Sequence, residues 1–125
     1  MKVSKVMNKA IVIEPAVKVK EAAGIMSKRG IGSLIVMRNE KIAGIVTERD
    51  VMKNLGQLNS AVSAIMSKGV VCIDEEESID NAALLMSKNK IKRLPVLKDD
   101  KLVGIITATD VIANSDSLNE DFFID

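Results

Sequence analysis

One stretch of this chain occurs twice, about 60 residues apart, and the duplication constrains the fold more than any single residue does. Ala22-Ala23-Gly24-Ile25-Met26-Ser27-Lys28 is answered by Ala82-Ala83-Leu84-Leu85-Met86-Ser87-Lys88. Lys41-Ile42-Ala43-Gly44-Ile45-Val46-Thr47 is answered by Lys101-Leu102-Val103-Gly104-Ile105-Ile106-Thr107, and Asp50-Val51 by Asp110-Val111. Ahead of these segments the offset drops by one, so that Val6-Met7 matches Ile65-Met66. The slip falls in a loop before the first long helix of each repeat, where an inserted residue costs little. Two copies are too few for a stacked array and fit a dimer-like pair fused in one chain.

Each copy has the same pattern of elements. Ile11-Val12-Ile13 and Val70-Val71-Cys72-Ile73 predict short apolar strands. Val19, Ala22, Ala23 and Met26 share one helical face and predict a helix over 19–28, with Gly30 as its left-handed terminator. Ile79, Ala82, Ala83 and Met86 predict its counterpart over 79–89, capped by Ser78. Two apolar runs then flank a polar turn, Arg38-Asn39-Glu40 in the first copy and Lys98-Asp99-Asp100 in the second, which predicts hairpins of 33–37 with 41–47 and of 93–97 with 101–107. A second helix follows each threonine. The expected class is α+β, two β-α-β-β-α repeats over 1–58 and 59–114 joined through Gln57-Leu58-Asn59-Ser60, with a polar, acidic tail over 115–125.

Composition narrows the function. The 125 residues are 47% hydrophobic and 28% charged, with a net charge of +1 and no long basic run, so a nucleic-acid footprint is not expected. No apolar stretch reaches the length of a signal peptide's core or a bilayer span, and the single Cys72 cannot pair within the chain; a cytoplasmic protein is expected. Histidine is absent, which removes a Ser-His-Asp triad and, with one cysteine, a zinc site of nitrogen and sulfur ligands. The reading is of a protein that is not an enzyme and holds no metal.

Two segments carry the most chemistry. Gly44-Ile45-Val46-Thr47-Glu48-Arg49-Asp50 and Gly104-Ile105-Ile106-Thr107-Ala108-Thr109-Asp110 both have the form Gly-apolar-x-Thr-x-x-Asp at a strand end running into a helix. Such a Thr-x-x-Asp is close to a helix capping box, and capping alone would account for it. Together with Lys92-Arg93-Leu94-Pro95-Val96 and the Val-Met and Ile-Met pairs at Met7 and Met66, the segments resemble the ribose-binding motif and repeat pattern of the CBS-domain family, over roughly residues 3 to 113.

The resemblance implies repeats packed through their sheets into a flattened disc, with adenosine ligands in two clefts. It implies that Asp50 and Asp110 accept hydrogen bonds from ribose hydroxyls, for which a carboxylate has the acceptors. Thr47 and Thr107 would contact ribose or phosphate, near helix N-terminal amides that favour an anion. Arg93 would meet a phosphate, which suits a guanidinium fork, or would simply be a solvated strand-end charge. The first repeat has Ser33 there, so the two clefts differ, and the one with Arg93, Thr107 and Asp110 is the better equipped for phosphate. Arg49 would serve the other cleft, or lie on a helix surface. Ile13 and Cys72 would flank the adenine, with backbone groups of their strands reading the base edge; plain strand pairing accounts for the same residues, and Cys72 also reads as a small buried hydrophobe. Pro95 belongs to the same binding set and, lacking an N–H, is expected on an edge or kinked strand.

The expected function is a regulatory sensor of AMP, ADP or ATP; S-adenosylmethionine and NADH are alternative ligands, and a structural dimerisation module with degenerate clefts is the alternative role. A homodimer and a separate regulated protein are the expected partners. Phe122 and Phe123, the only aromatic residues, would dock on the disc or a second subunit, or belong to a frayed end.

Overall fold

The computed structural model describes residues 1–115. It contains two compact units, one of Ala10–Val70 and one that joins Met1–Lys9 to the chain from Val71 onward. In the first, β1 (Val12–Ile13), α1 (Val19–Arg29), β2 (Ser33–Arg38), β3 (Lys41–Thr47) and α2 (Glu48–Lys53) follow in order. In the second, β4 (Ile73–Asp74), α3 (Ile79–Asn89), β5 (Arg93–Lys98), β6 (Lys101–Thr107) and α4 (Ala108–Ala113) repeat that order. Each unit holds a three-stranded sheet, β1-β2-β3 or β4-β5-β6, with a parallel first pair and an antiparallel hairpin.

The hairpins turn on two residues, not three. Asn39 and Glu40 have φ of 51° and 64°, as do Asp99 and Asp100, the left-handed pair that matches the twist of antiparallel strands. Arg38 and Lys98, expected in the turns, are instead the last residues of β2 and β5, paired with Lys41 and Lys101. The short polar side chains of Asn39 and Asp99 tolerate the left-handed region, so the reversal fits into two residues.

The helical stripes are buried as their spacing predicts: Val19, Ala22 and Met26 in α1, and Ile79, Ala82 and Met86 in α3. Ser78 caps α3 by accepting from the Asn81 amide at 3.1 Å. Lys18, the matching residue, does not cap α1 through its side chain. Carbonyls of the linker do so: the Val19 amide donates to Ser60 O and the Lys20 amide to Leu58 O, both at 2.9 Å. In the other unit the Ile79 amide donates to Met1 O at 3.0 Å. The segment before each first strand therefore docks on a helix start. Val62 and Ile65 join the core of α1, β2 and β3, while Val3 joins that of α3, β5 and β6.

One strand differs from its expected position. The apolar run 70–73 predicts a strand containing Cys72, but β4 is Ile73–Asp74 and Cys72 precedes it. The reason is Pro95. In the first unit the Ile35 amide donates to Ile11 O at 3.0 Å. Pro95 replaces Ile35 at that level and has no N–H to offer Val71, so the parallel ladder starts one residue later. Pro95 itself lies in β5, a middle strand and not an edge, close to the register shift between Val96 and Leu97, so of the two expected settings the irregular strand is the one observed; its missing donor faces the stretch where β4 has not begun.

Candidate functional site

Each Gly-apolar-x-Thr-x-x-Asp segment ends a strand and starts a six-residue helix. At its end Thr107 is extended, with φ −113° and ψ 164°, and its hydroxyl oxygen accepts from the Asp110 amide at 3.2 Å. Asp110 Oδ2 accepts in return from the Thr107 amide at 2.9 Å and the Thr107 hydroxyl at 2.8 Å. In the other unit the Asp50 amide reaches Thr47 Oγ1 at 3.2 Å, and Asp50 Oδ2 accepts from the Thr47 amide at 2.8 Å and hydroxyl at 3.0 Å. Both motifs are thus reciprocal capping boxes. That leaves one oxygen of each carboxylate: among the described residues, Oδ1 of Asp50 and of Asp110 accepts no hydrogen bond. Both aspartates are half-buried.

Arg93 is the register partner of Thr107, and Ser33 of Thr47. Directly opposite residues in an antiparallel pair project to the same face, so Arg93, Thr107 and Asp110 are brought together at one end of the β5–β6 hairpin. Arg93 is half-buried and has no ion-pair partner among the described residues. Arg49 is exposed on α2, as its surface-helix alternative requires. The Ile13 side chain is buried in the core of its unit, while its β1 neighbour Val12 is exposed. Cys72 lines a groove of about 390 Å³ with Ile73, Asp74, Glu77, Asn81, Leu84, Leu85 and Lys88. None of Arg93, Thr107 and Asp110 lines that groove, so Cys72 is not gathered with them there. Burial pushes the Cys72 thiol above its ordinary pKa, the opposite of what a nucleophile needs.

Two features were not legible as functional. The first is Asn8, whose side-chain amide donates to Asp110 Oδ2 at 2.9 Å. Its backbone pairs with β6: the Asn8 amide donates to Ile105 O at 2.8 Å and the Ile105 amide to Asn8 O at 2.9 Å. The only sequence signal was its place beside Met7, in a pair that recurs at Met66-Ser67. The second is the reason for the motif glycines. A Cβ on Gly104 would lie 2.8 Å from Asn8 O and from Met7 Sδ, and one on Gly44 would lie 2.7 Å from Met66 Sδ and 2.8 Å from Ser67 O. Each glycine lets the Met-containing segment run flat against its strand, a use that a glycine inside a strand hints at.

Among the described residues no group of three His, Cys, Asp or Glu side chains is placed to hold a metal, and no helix is long and apolar enough to cross a membrane. Phe122 and Phe123 lie outside the described residues.

Residues 3–57 and 62–116 each match the CBS domain family. The chain belongs to the CBS-domain family. Its two CBS domains superpose on the CBS domain pair of protein MJ0100, solved in complex with 5-methylthioadenosine and S-adenosyl-L-methionine, with a TM-score of 0.84 and 32% identity over 90% of this chain and 94% of that one. A hexameric CBS-CP12 protein from bloom-forming cyanobacteria matches with a TM-score of 0.86 and 27% identity, over 95% of this chain and 74% of that one. In sequence, the CBS pair is 38% identical over 109 residues to the inosine-5'-monophosphate dehydrogenase of Methanocaldococcus jannaschii, covering 86% of this chain and 22% of that enzyme. The chain spans about a third or less of the first curated relatives it matches. The CBS pair accounts for the α+β class, the duplication and the paired motifs together.

Proposed function

We propose that this CBS pair is a non-catalytic regulatory module that binds an adenosine-containing ligand, with an adenine nucleotide (AMP, ADP or ATP) as the first choice. The observation that carries the reading is the Oδ1 of Asp50 and of Asp110, which accepts no hydrogen bond among the described residues, each beside a strand-end threonine. Capping takes up Oδ2, and Oδ1 remains as a charged acceptor for a ribose hydroxyl, worth about 1.5–3 kcal/mol per hydrogen bond. Arg93, in register with Thr107, supplies a cation for a phosphate. Signalling follows from population shift: the ligand favours whichever arrangement of the protein binds it better, by no more than its differential affinity. The lack of histidine and the raised Cys72 thiol both support a role without catalysis.

A second ligand class has a specific observation in its favour. The MJ0100 pair, 32% identical, was solved with 5-methylthioadenosine and S-adenosyl-L-methionine, which share the adenosine and lack a phosphate. S-adenosylmethionine therefore stands beside the nucleotides, with NADH as a further candidate. The capping boxes favour the purely structural alternative, since capping alone would retain both motifs. A homodimer is supported by the apolar side chains that α2 and α4 leave exposed, Met52 at 68% and Ile112 at 54%. A separate protein is the proposed regulated target, and the lone cysteine fits a cytoplasmic setting.

A thermal-shift panel of AMP, ADP, ATP, S-adenosylmethionine, 5-methylthioadenosine and NADH tests the reading. A true ligand at about a hundred times its Kd adds about 2.7 kcal/mol of stability. The shift should shrink in Asp50→Ala and Asp110→Ala and vanish in the double variant, compared with each variant's own ligand-free melting point, because both substitutions also remove a cap. A flat response of the wild-type protein to all six compounds would leave the structural role standing.

A further inference from the structure

We propose that Asn8 is a latch on the Asp110 site, so that the two motifs of this chain differ in affinity for a sugar diol. The inference rests on the ribose-binding reading of the aspartates. Asp110 Oδ2 receives three donors: the Thr107 amide, the Thr107 hydroxyl and the Asn8 side-chain amide. A carboxylate oxygen has two lone pairs, so this one is oversubscribed. Among the described residues, Asp50 Oδ2 receives only the two donors of Thr47. The residue placed against β3 as Asn8 is against β6 is Ser67, whose backbone pairs with Ile45 at 3.0 and 2.9 Å. Its hydroxyl makes no hydrogen bond to Asp50 among the described residues. A vicinal diol is held best when it can reach both oxygens of a carboxylate. At Asp50 the cap is the sole competitor; at Asp110 a third donor must also be displaced.

The latch is a side-chain rotor on a fixed hinge. The Asn8 main chain is held to Ile105 by two hydrogen bonds, and Met7 packs at Gly104, so the segment stays in place while the amide turns away. Asn8 is exposed, which gives the amide water to turn into. The Thr107 amide cannot leave Oδ2 without unmaking the start of α4, but the Thr107 hydroxyl can turn its proton away while its oxygen still accepts from the Asp110 amide, as the Thr47 hydroxyl can at Asp50. Asn8 is the additional donor that must yield at Asp110, and losing its hydrogen bond weakens every ligand that takes both oxygens there. For ligands without a phosphate, on which Arg93 confers no preference, the Asp50 site therefore fills first.

Adenosine isolates the effect because it carries the diol and no phosphate for Arg93. Calorimetric titration in an Asp50→Ala background reads the Asp110 site, and in an Asp110→Ala background the Asp50 site. Adding Asn8→Ala should tighten adenosine about threefold to tenfold in the first and leave the second unchanged. Unchanged or weaker binding in the first, or an equal gain in both, overturns the latch while leaving the sensor reading intact. Absence of adenosine binding in every variant overturns the latch, and a flat thermal-shift response of the wild-type protein to all six compounds overturns the sensor reading as well. A ligand-free arm checks the geometry: the Asn8 side-chain amide resonances should move in Asp110→Ala and stay in Asp50→Ala, and no movement in Asp110→Ala refutes the bond itself.

Discussion

Gly104 marks where β6 and the N-terminal segment come closest, and its lack of a side chain is what permits the approach. A Cβ there would sit 2.8 Å from the Asn8 carbonyl, a backbone atom that cannot swing aside as a side chain could. Gly104→Ala should therefore cost about 1–3 kcal/mol in urea unfolding, the range of an overpacked site. Gly24 makes the opposite prediction. It lies on the exposed side of α1 with nothing within 4 Å of a Cβ, so Gly24→Ala should stabilise by about 0.5–1 kcal/mol through helix propensity. A similar cost for both substitutions would show that the close approach at Gly104 is not what the strand depends on. At this scale the sequence marked Thr47, Asp50, Thr107 and Asp110 as residues that cap a helix, bind a ligand or do both, and the capping is what the structure shows. The structure assigns the capping to Oδ2 of each aspartate. Asn8 could not be found from the chain, because it lies 102 residues from its partner and nothing local marks that distance.

The elements follow local rules, and they depart from expectation where a long-range partner intervenes. Both long helices end on a left-handed residue whose amide bonds back to the helix: Gly30 at φ 63°, donating to Met26 O and Ser27 O, and Lys90 at φ 54°, donating to Met86 O and Ser87 O. Glycine takes that conformation freely, whereas a lysine there costs about 1–2 kcal/mol. Lys90→Gly should raise the unfolding free energy by most of that amount, seen as a higher denaturation midpoint at an unchanged denaturant slope. A loss of stability would mean that the lysine side chain contributes more than its backbone costs. The expected strand around Cys72 failed for a reason of the same kind. Apolar content marked 70–73 as a strand, but the ladder needs an amide from the neighbour, and Pro95 lacks one. Periodicity describes what a segment can bury and says nothing of whether its partner can donate.

For the molecule as a whole, order along the chain and order in space differ. Met1–Lys9 belongs to the compact unit of the second repeat, and Val3 is fully buried in that unit's core. The segment also caps α3 through Met1 O and extends the β6 edge through Asn8. Removing residues 1–9 should therefore deprotect the amides of β5 and β6 in hydrogen exchange well before those of β2 and β3. Val3→Ala alone should cost about 2 kcal/mol for the lost methyl groups and the cavity they leave. Equal loss of protection in both units after the truncation would contradict the assignment of this segment to one core.

The sequence by itself determined the duplication, the element order, both helical stripes, the Ser78 cap and the identity of the two Thr-x-x-Asp motifs. These are properties of near neighbours: helical periodicity, turn chemistry and capping act over a few residues, and a repeated segment shows itself on inspection. Only the tertiary structure decided which core receives Val3, why Gly44 and Gly104 are glycines, where β4 starts, and which donor occupies Asp110. Each of those depends on a hydrogen bond or a van der Waals contact between residues far apart in the chain, and such contacts exist only once the backbone has closed on itself.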